Sequence, residues 1–379
     1  MRKFLALIVR IGIILFLAVL LIIFMILKMS PTICEAWTRG FARFIGSVMS
    51  AITKNIPFSL TEVFFALMII GIIVLLVLAI LSLRKLKLIT MCNRLLDIAF
   101  IVLLSVNLYT ISCEFAYKRK EMPLPYYESE VVRTEHIPIF NYYANDVNYC
   151  ISQLEFTEKG EVKTDMSLSS LAKEVIKAYK IIEGDKYFAS HFGGVKPMVS
   201  SFLYREFQIT GVTYSPLAEA NINVLNTKTD LPITVAHELA HTKGVMREDD
   251  ANKLAFYVCL NSDHPYLRYS AYASYFYQME AITTSYYLTD EERANLVKVD
   301  PMLSKTRSYE REFWKKHNLL GKIGDWINNL YIKSSGVKEG TTSYSGGTEY
   351  VHDPTTSKLI PSLYQKLFFE KYYRELAYN

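Results

Sequence analysis

Val235-Ala236-His237-Glu238-Leu239-Ala240-His241, with Glu248-Asp249-Asp250-Ala251-Asn252 a few residues later, is the stretch that decides what kind of domain this chain contains. In an α-helix residues i and i+4 lie on one face a turn apart, so His237 and His241 can present imidazole nitrogens to a common point. Leu231, Ile233, Val235, Leu239 and Ala240 surround them, which reads as a buried helix carrying deliberate polar groups. Two histidines at this spacing with a carboxylate between them suit a Zn2+ ion and a general base, Glu238, for water attacking a carbonyl. Only seven histidines occur in 379 residues, so the pairing is not a product of abundance.

A third ligand must come from elsewhere. Gly244 stands where the pattern H-E-x-x-H-x-x-G-x-x-H has its glycine, but that pattern's last histidine falls on Arg247, which cannot ligate zinc. Glu248 begins Glu-x-x-Ala-Asn on a segment whose Ala251, Leu254, Ala255 and Val258 recur at helical spacing. This resembles the second motif of gluzincin metallopeptidases. The resemblance implies that Glu248 completes a metal site with His237 and His241, and that Asn252 supports it. Asp249 and Asp250 are rival ligands, and all three acids also suit a charged first helical turn.

The flanking Arg247-Glu248-Asp249, Cys259 to Tyr266, Ser215 to Asn221, Tyr331-Ile332-Lys333 and Ser343-Tyr344 extend the likeness. They resemble an uncharacterised bacterial membrane family whose members join three N-terminal spans to an H-E-x-x-H domain. That resemblance implies an architecture and no substrate.

The composition agrees with lipid contact, at 51% hydrophobic residues and a mean hydropathy of +0.15. Three spans are expected, at residues 4–27, 63–83 and 95–113. The first is interrupted by Arg10, and the third is weakened by Asp97 and Asn107. No small-x-small cleavage site follows the first, which favours a retained span over a signal peptide. Arg2, Lys3 and Arg10 together with Arg84, Lys85, Lys87 and Arg94 place those flanks in the cytoplasm, and the remainder outside. Lys118-Arg119-Lys120 argues the other way. Residues 1–120 carry a net charge of +10 and residues 121–379 a net of −5, so the basic excess belongs to the membrane region and nothing points to nucleic acid.

Residues 1–120 are thus expected to form a transmembrane region, and residues 121–379 an extracytoplasmic zincin-like domain, mainly α with a small β-sheet. Trp37, Phe41, Phe44, Ile45, Val48 and Ile52 suit an amphipathic helix, either in the bilayer interface or packed on the domain. Residues 123–163 read as an irregular linker, Ser167 to Ile182 as a helix, and 209–213 and 221–225 as short strands. Strand 220–225 is the candidate sheet edge for an extended peptide, with Ala220, Asn221 and Asn223 as contacts. An aromatic helix runs from Tyr266 to Tyr287, and Thr289 with Glu292 forms a capping box. Residues 334–354 read as a loop able to bring Tyr344 and His352 to the cleft, before a terminal helix near 357–376. His264 or a tyrosine is a candidate oxyanion donor. Cys150 and Cys259 either pair or stay as small buried hydrophobes.

The expected function is peptide hydrolysis at a lipid bilayer. A zinc-holding sensor or assembly protein, and a zinc hydrolase of a non-peptide envelope amide, are the alternatives.

Overall fold

The computed structural model describes residues 2–285, 288–335, 337–352 and 359–378. Its three apolar stretches form the helices Arg2–Leu27, Leu60–Arg84 and Leu88–Tyr109. The third continues through a π-helical turn, Thr110–Glu114, to Tyr117. Each is long enough to cross a hydrocarbon core. The polar residues that interrupt the pattern find partners within the helical bundle. Arg10 pairs with Asp97 at 2.6 Å, and the Asn107 amide donates to the Leu17 carbonyl oxygen at 3.2 Å. An isolated charge at mid-membrane costs about 2.5–3.5 kcal/mol on insertion scales, and pairing offsets that. A further buried pair, Lys28 with Glu114 at 2.6 Å, brings the C-terminal ends of spans one and three to one level.

The amphipathic segment after span one folds as a π-helical turn, Thr38–Ala42, and the helix Arg43–Thr53. It packs on the domain along one side and keeps apolar side chains exposed along the other. Arg43 donates to the carbonyl oxygens of Lys186 and Tyr187 at 3.0 Å each, and Ser50 donates to that of Phe192, while Phe41, Phe44, Val48 and Ile52 stay exposed.

The domain core is helical. Residues 123–163 are not a linker, because Arg133–Ser152 is a helix of 20 residues followed by the hairpin Glu155–Phe156 with Val162–Lys163. His136, Ile139, Phe140, Tyr143, Ala144, Val147 and Cys150 line its buried face. That is a helical repeat, masked in the sequence by an internal Pro138 and by aromatic residues where aliphatic ones are usual. Ser167 to Ile182 folds as expected, with the helix Leu168–Ala178 ending in a 3-10 turn, Tyr179–Ile182. The helices Leu231–Thr242 and Glu248–Leu260 pack side by side in the centre, where Val235, Ala236, Leu239, Leu254 and Val258 are fully buried. A Leu or Val side chain removed from water in this way contributes about 1.5–3 kcal/mol. Cys150 and Cys259 are both buried and both free.

The aromatic stretch forms two helices, Pro265–Tyr275 and Tyr277–Ser285, and Tyr287 lies outside the described residues. The Thr289 and Glu292 capping box forms, but the helix it starts is short, Asp290–Ala294. The terminal helix is Leu363–Tyr378, and its expected start near 357 lies outside the described residues.

One expectation about the sheet is corrected. Its three strands are Gly194–Pro197, Gly211–Tyr214 and Glu219–Ile222, and the last lies in the middle, parallel to the first and antiparallel to the second. Strand 220–225 is therefore not an edge. Ala220, Asn221 and Asn223 are fully buried, with the Asn221 amide donating to the Val212 carbonyl oxygen at 3.0 Å and the Asn223 amide to that of Ile209 at 2.9 Å. The alternation Asn-Ile-Asn-Val looks like a strand with one solvated face. Here both faces are covered, and the asparagines serve the backbone. The edge strands are Gly194–Pro197 and Gly211–Tyr214, and the second of them lines the cleft in front of the histidines.

Candidate metal centre

The helix Leu231–Thr242 ends where Gly244 takes a left-handed φ of +84°, and the Val245 N–H closes back on the Ala240 carbonyl oxygen at 3.2 Å. This reversal returns the chain as the helix Glu248–Leu260, which packs against the first. His237, His241 and the first residue of the second helix, Glu248, are brought together by it.

Each imidazole is oriented from behind. The Nδ1 of His237 donates to Asn252 Oδ1 at 2.8 Å, and the Nδ1 of His241 to the Val245 carbonyl oxygen at 2.8 Å. Both Nε2 atoms then face Glu248 Oε2, at 3.1 Å from His237 and 3.6 Å from His241. The ligand atoms of all three residues lie within 4.8 Å of one another. Ligands at tetrahedral angles about a zinc ion, at its usual bond lengths, stand about 3.3 Å apart, so the donor set fits such an ion with little movement. Two imidazoles and one carboxylate leave the fourth position open, which is the pattern of catalytic sites. Asp249 and Asp250 are engaged elsewhere, with Lys253 at 3.2 and 2.8 Å and with Arg247 at 3.2 and 3.5 Å.

The charges in the cluster are complementary. Burial pushes the Glu248 carboxyl up, but the His241 charge and hydrogen bonds from both histidines outweigh it and hold the group well below the usual carboxylate range. Burial pushes His241 down, and the Glu248 carboxylate overrides it and raises the imidazole to about 9. A cation bound here would take over the role of those imidazole protons and release them. Tyr117, at the end of span three, donates its hydroxyl to Glu248 Oε1 at 3.2 Å.

Glu238 lies beside the cluster and turns toward the sheet. Its Oε2 accepts from the Thr213 hydroxyl at 2.7 Å. Burial raises its pKa, with His241 and His237 pulling it back. A cleft of about 710 Å³ opens in front, walled by Gly211, Thr213, Asn328, Tyr331 and Tyr344 as well as the cluster. The segment that holds Tyr344 folds over this cleft as a 3-10 turn, Gly340–Ser345, where the Tyr344 carbonyl oxygen accepts from Asn252 at 3.0 Å and its hydroxyl from Asn328 at 3.2 Å. His264 caps the helix Pro265–Tyr275 by accepting from the Tyr266 N–H at 3.2 Å. The side chain of His352 lies outside the described residues.

The family model described as a protein of unknown function, DUF3810, matches residues 37–351. The chain belongs to this family. The match takes in the amphipathic helix Arg43–Thr53, spans two and three and the whole candidate metal centre. No curated protein and no solved structure matches it.

Three residues of this DUF3810 chain escape sequence reasoning: Tyr117, Thr213 and Gly211. Nothing in the sequence ties the end of a span to Glu248. The strand reading of 209–213 covers Thr213 and Gly211, but choosing them requires knowing which strand faces the metal helix. Gly211 is there for space, because a Cβ would stand 2.5 Å from Glu238 Oε1. Gly211→Ala should therefore displace the carboxylate and lower turnover by about tenfold or more, with zinc content unchanged in elemental analysis. Asn252→Ala should act on the metal instead, weakening zinc affinity by about 10–100-fold, as read by competition with a chelator.

Proposed function

We propose that the protein is a membrane-anchored zinc metallopeptidase whose site residues are His237, His241 and Glu248 for the metal, Asn252 behind them, and Glu238 as the base. The observation that carries the reading is the placement of Glu238. It is buried beside three convergent ligand atoms, held by Thr213, and faces a cleft large enough for a peptide. A purely structural metal has no use for such a carboxylate. Zinc held by the three residues would supply Lewis acidity to water and to the substrate carbonyl. Glu238 then takes the proton of the attacking water and passes it to the leaving amine. Its raised pKa suits both halves of that transfer. The free edge of Gly211–Tyr214 aligns an extended chain by main-chain hydrogen bonds. Tyr344, whose phenol is pushed well above its ordinary value by burial and the Glu248 charge, stays neutral and able to donate to developing charge on the carbonyl oxygen.

The domain is proposed to lie outside a bacterial cytoplasmic membrane. The counter-argument from Lys118-Arg119-Lys120 weakens because Arg119 is buried against Glu35, at 2.9 Å, and donates to the Gly244 and Tyr187 carbonyl oxygens. It is not a free interfacial charge. The test is a peptide-library digest by the full-length protein in vesicles, alongside its zinc content. One zinc per chain and chelator-sensitive cleavage are expected. Zinc without cleavage of any peptide favours a sensor role or a non-peptide amide.

A further inference from the structure

The helix Gly321–Ser334 forms one wall of the cleft and carries a second face that is exposed among the described residues. Gly321, Gly324 and Ile332 are buried, with Asn328 and Tyr331 turned to the cleft. Ile323, Trp326 and Leu330 are exposed by 50–64% and fall within about 60° of one another on the helical wheel, and Ile327, 47% exposed, stands between that stripe and the cleft, which it lines. Lys322 and Lys333 border that stripe. An apolar stripe with a tryptophan and flanking lysines has the composition of helices that lie in a bilayer interface.

Both ends of this helix are fixed to membrane spans. At one end Tyr331 packs on Tyr109, ring centroids 5.5 Å apart, and Ser335 shares a hydrogen bond of 2.7 Å with the Tyr109 hydroxyl. Tyr109 lies five residues before Glu114, so it is about 7 Å deeper along span three than the level at which span one ends. At the other end the Leu320 N–H donates to the Glu206 carbonyl oxygen at 3.0 Å. Glu206 closes the short helix Ser201–Glu206, whose Phe202 and Leu203 are exposed, as is Val199 just before it. That segment is pinned to span two, since Glu62 accepts from the Val199 and Ser200 N–H groups at 2.8 and 2.9 Å. The exposed apolar side chains of this helix, with those of Val199, Phe202 and Leu203, are thereby held beside the ends of spans two and three.

We propose that the helix Gly321–Ser334 is bedded in the interfacial layer of the bilayer, so that one wall of the metal cleft is seated in lipid and the site takes polypeptide where it emerges from the membrane. The second half rests on the peptidase reading. The substrate class is the juxtamembrane stretch of a membrane-inserted protein, because a cleft with one wall seated in the interfacial layer lies at the level where such a stretch leaves the bilayer.

The seating is tested without activity. Full-length protein is placed in vesicles of phosphatidylcholine brominated at different acyl positions, and the fluorescence of the wild type minus that of Trp326→Phe isolates Trp326. Quenching by bromines nearest the glycerol end is expected. A Trp326 signal untouched by every brominated lipid overturns the seating, whether aqueous iodide reaches it or a second copy of the chain covers it. The substrate class is tested with one cleavable sequence set at increasing distances from a transmembrane anchor in the same vesicles. Bonds within about eight residues of the anchor, ~26 Å of extended chain, should be cut about tenfold faster than bonds 25 or so residues away. Equal rates at all distances overturn the substrate class and leave the seating. No cutting at any distance, with Trp326 quenched, removes the peptidase reading and the substrate class with it, and leaves the seating.

Discussion

On the proposed peptidase reading, Glu238→Gln should keep zinc at one per chain and lower peptide hydrolysis by about two to four orders of magnitude. The amide preserves the shape of the carboxylate and can still meet Thr213, which holds Glu238 at 2.7 Å. What it loses is the capacity to take a proton. Glu238 lies beside the three ligand atoms and is not one of them, so the metal is expected to stay. Elemental analysis and initial rates on one sample separate the two quantities. Wild-type turnover in the variant would remove Glu238 from its role, and loss of zinc would make it a ligand.

Glu248→Gln does the opposite. Its carboxylate is the anionic member of the cluster, 3.1 Å from one imidazole and 3.6 Å from the other, and a neutral amide gives up the charge that the cation would meet. Zinc affinity should fall by more than the 10–100-fold or so that a supporting residue such as Asn252 contributes. Excess zinc should restore part of the activity, which it cannot do for Glu238→Gln. Asp249→Asn is the matching control. Asp249 belongs to the pairs with Lys253 and Arg247, so that variant should hold zinc as the wild type does. Normal zinc in Glu248→Gln with loss in Asp249→Asn would move the third ligand by one residue.

The residues that could be read in advance are those whose partners are close in sequence. His237 and His241 are one turn apart, so helical periodicity brings them to one face, whereas Glu248 and Asn252 are implied by the resemblance to the gluzincin motif and not by spacing, which leaves Asp249 and Asp250 as rivals. The spans were legible for the same reason, since hydrophobic length is a local property. Even their defects were informative, as Arg10 and Asp97 proved to be partners. The substrate edge was misplaced because a short alternating run does not say which neighbours it will pair with. Only the register of Glu219–Ile222 between two other strands shows that it is central. The helix Arg133–Ser152 was hidden by Pro138 and by its tyrosines, which read as irregular until their buried spacing is seen.

The hydrogen bond from Tyr117 to Glu248 has a practical consequence. Trimming the chain at residue 121 to obtain a soluble domain would delete the donor on a proposed metal ligand, together with the Arg119 bond to the Gly244 carbonyl oxygen that braces the turn between the helices Leu231–Thr242 and Glu248–Leu260. Such a fragment would be a wounded protein and not an unanchored one. A weak or silent fragment would then report on where the knife fell, and the membrane segment is better regarded as part of the chassis that tunes the centre than as a tether that can be cut away.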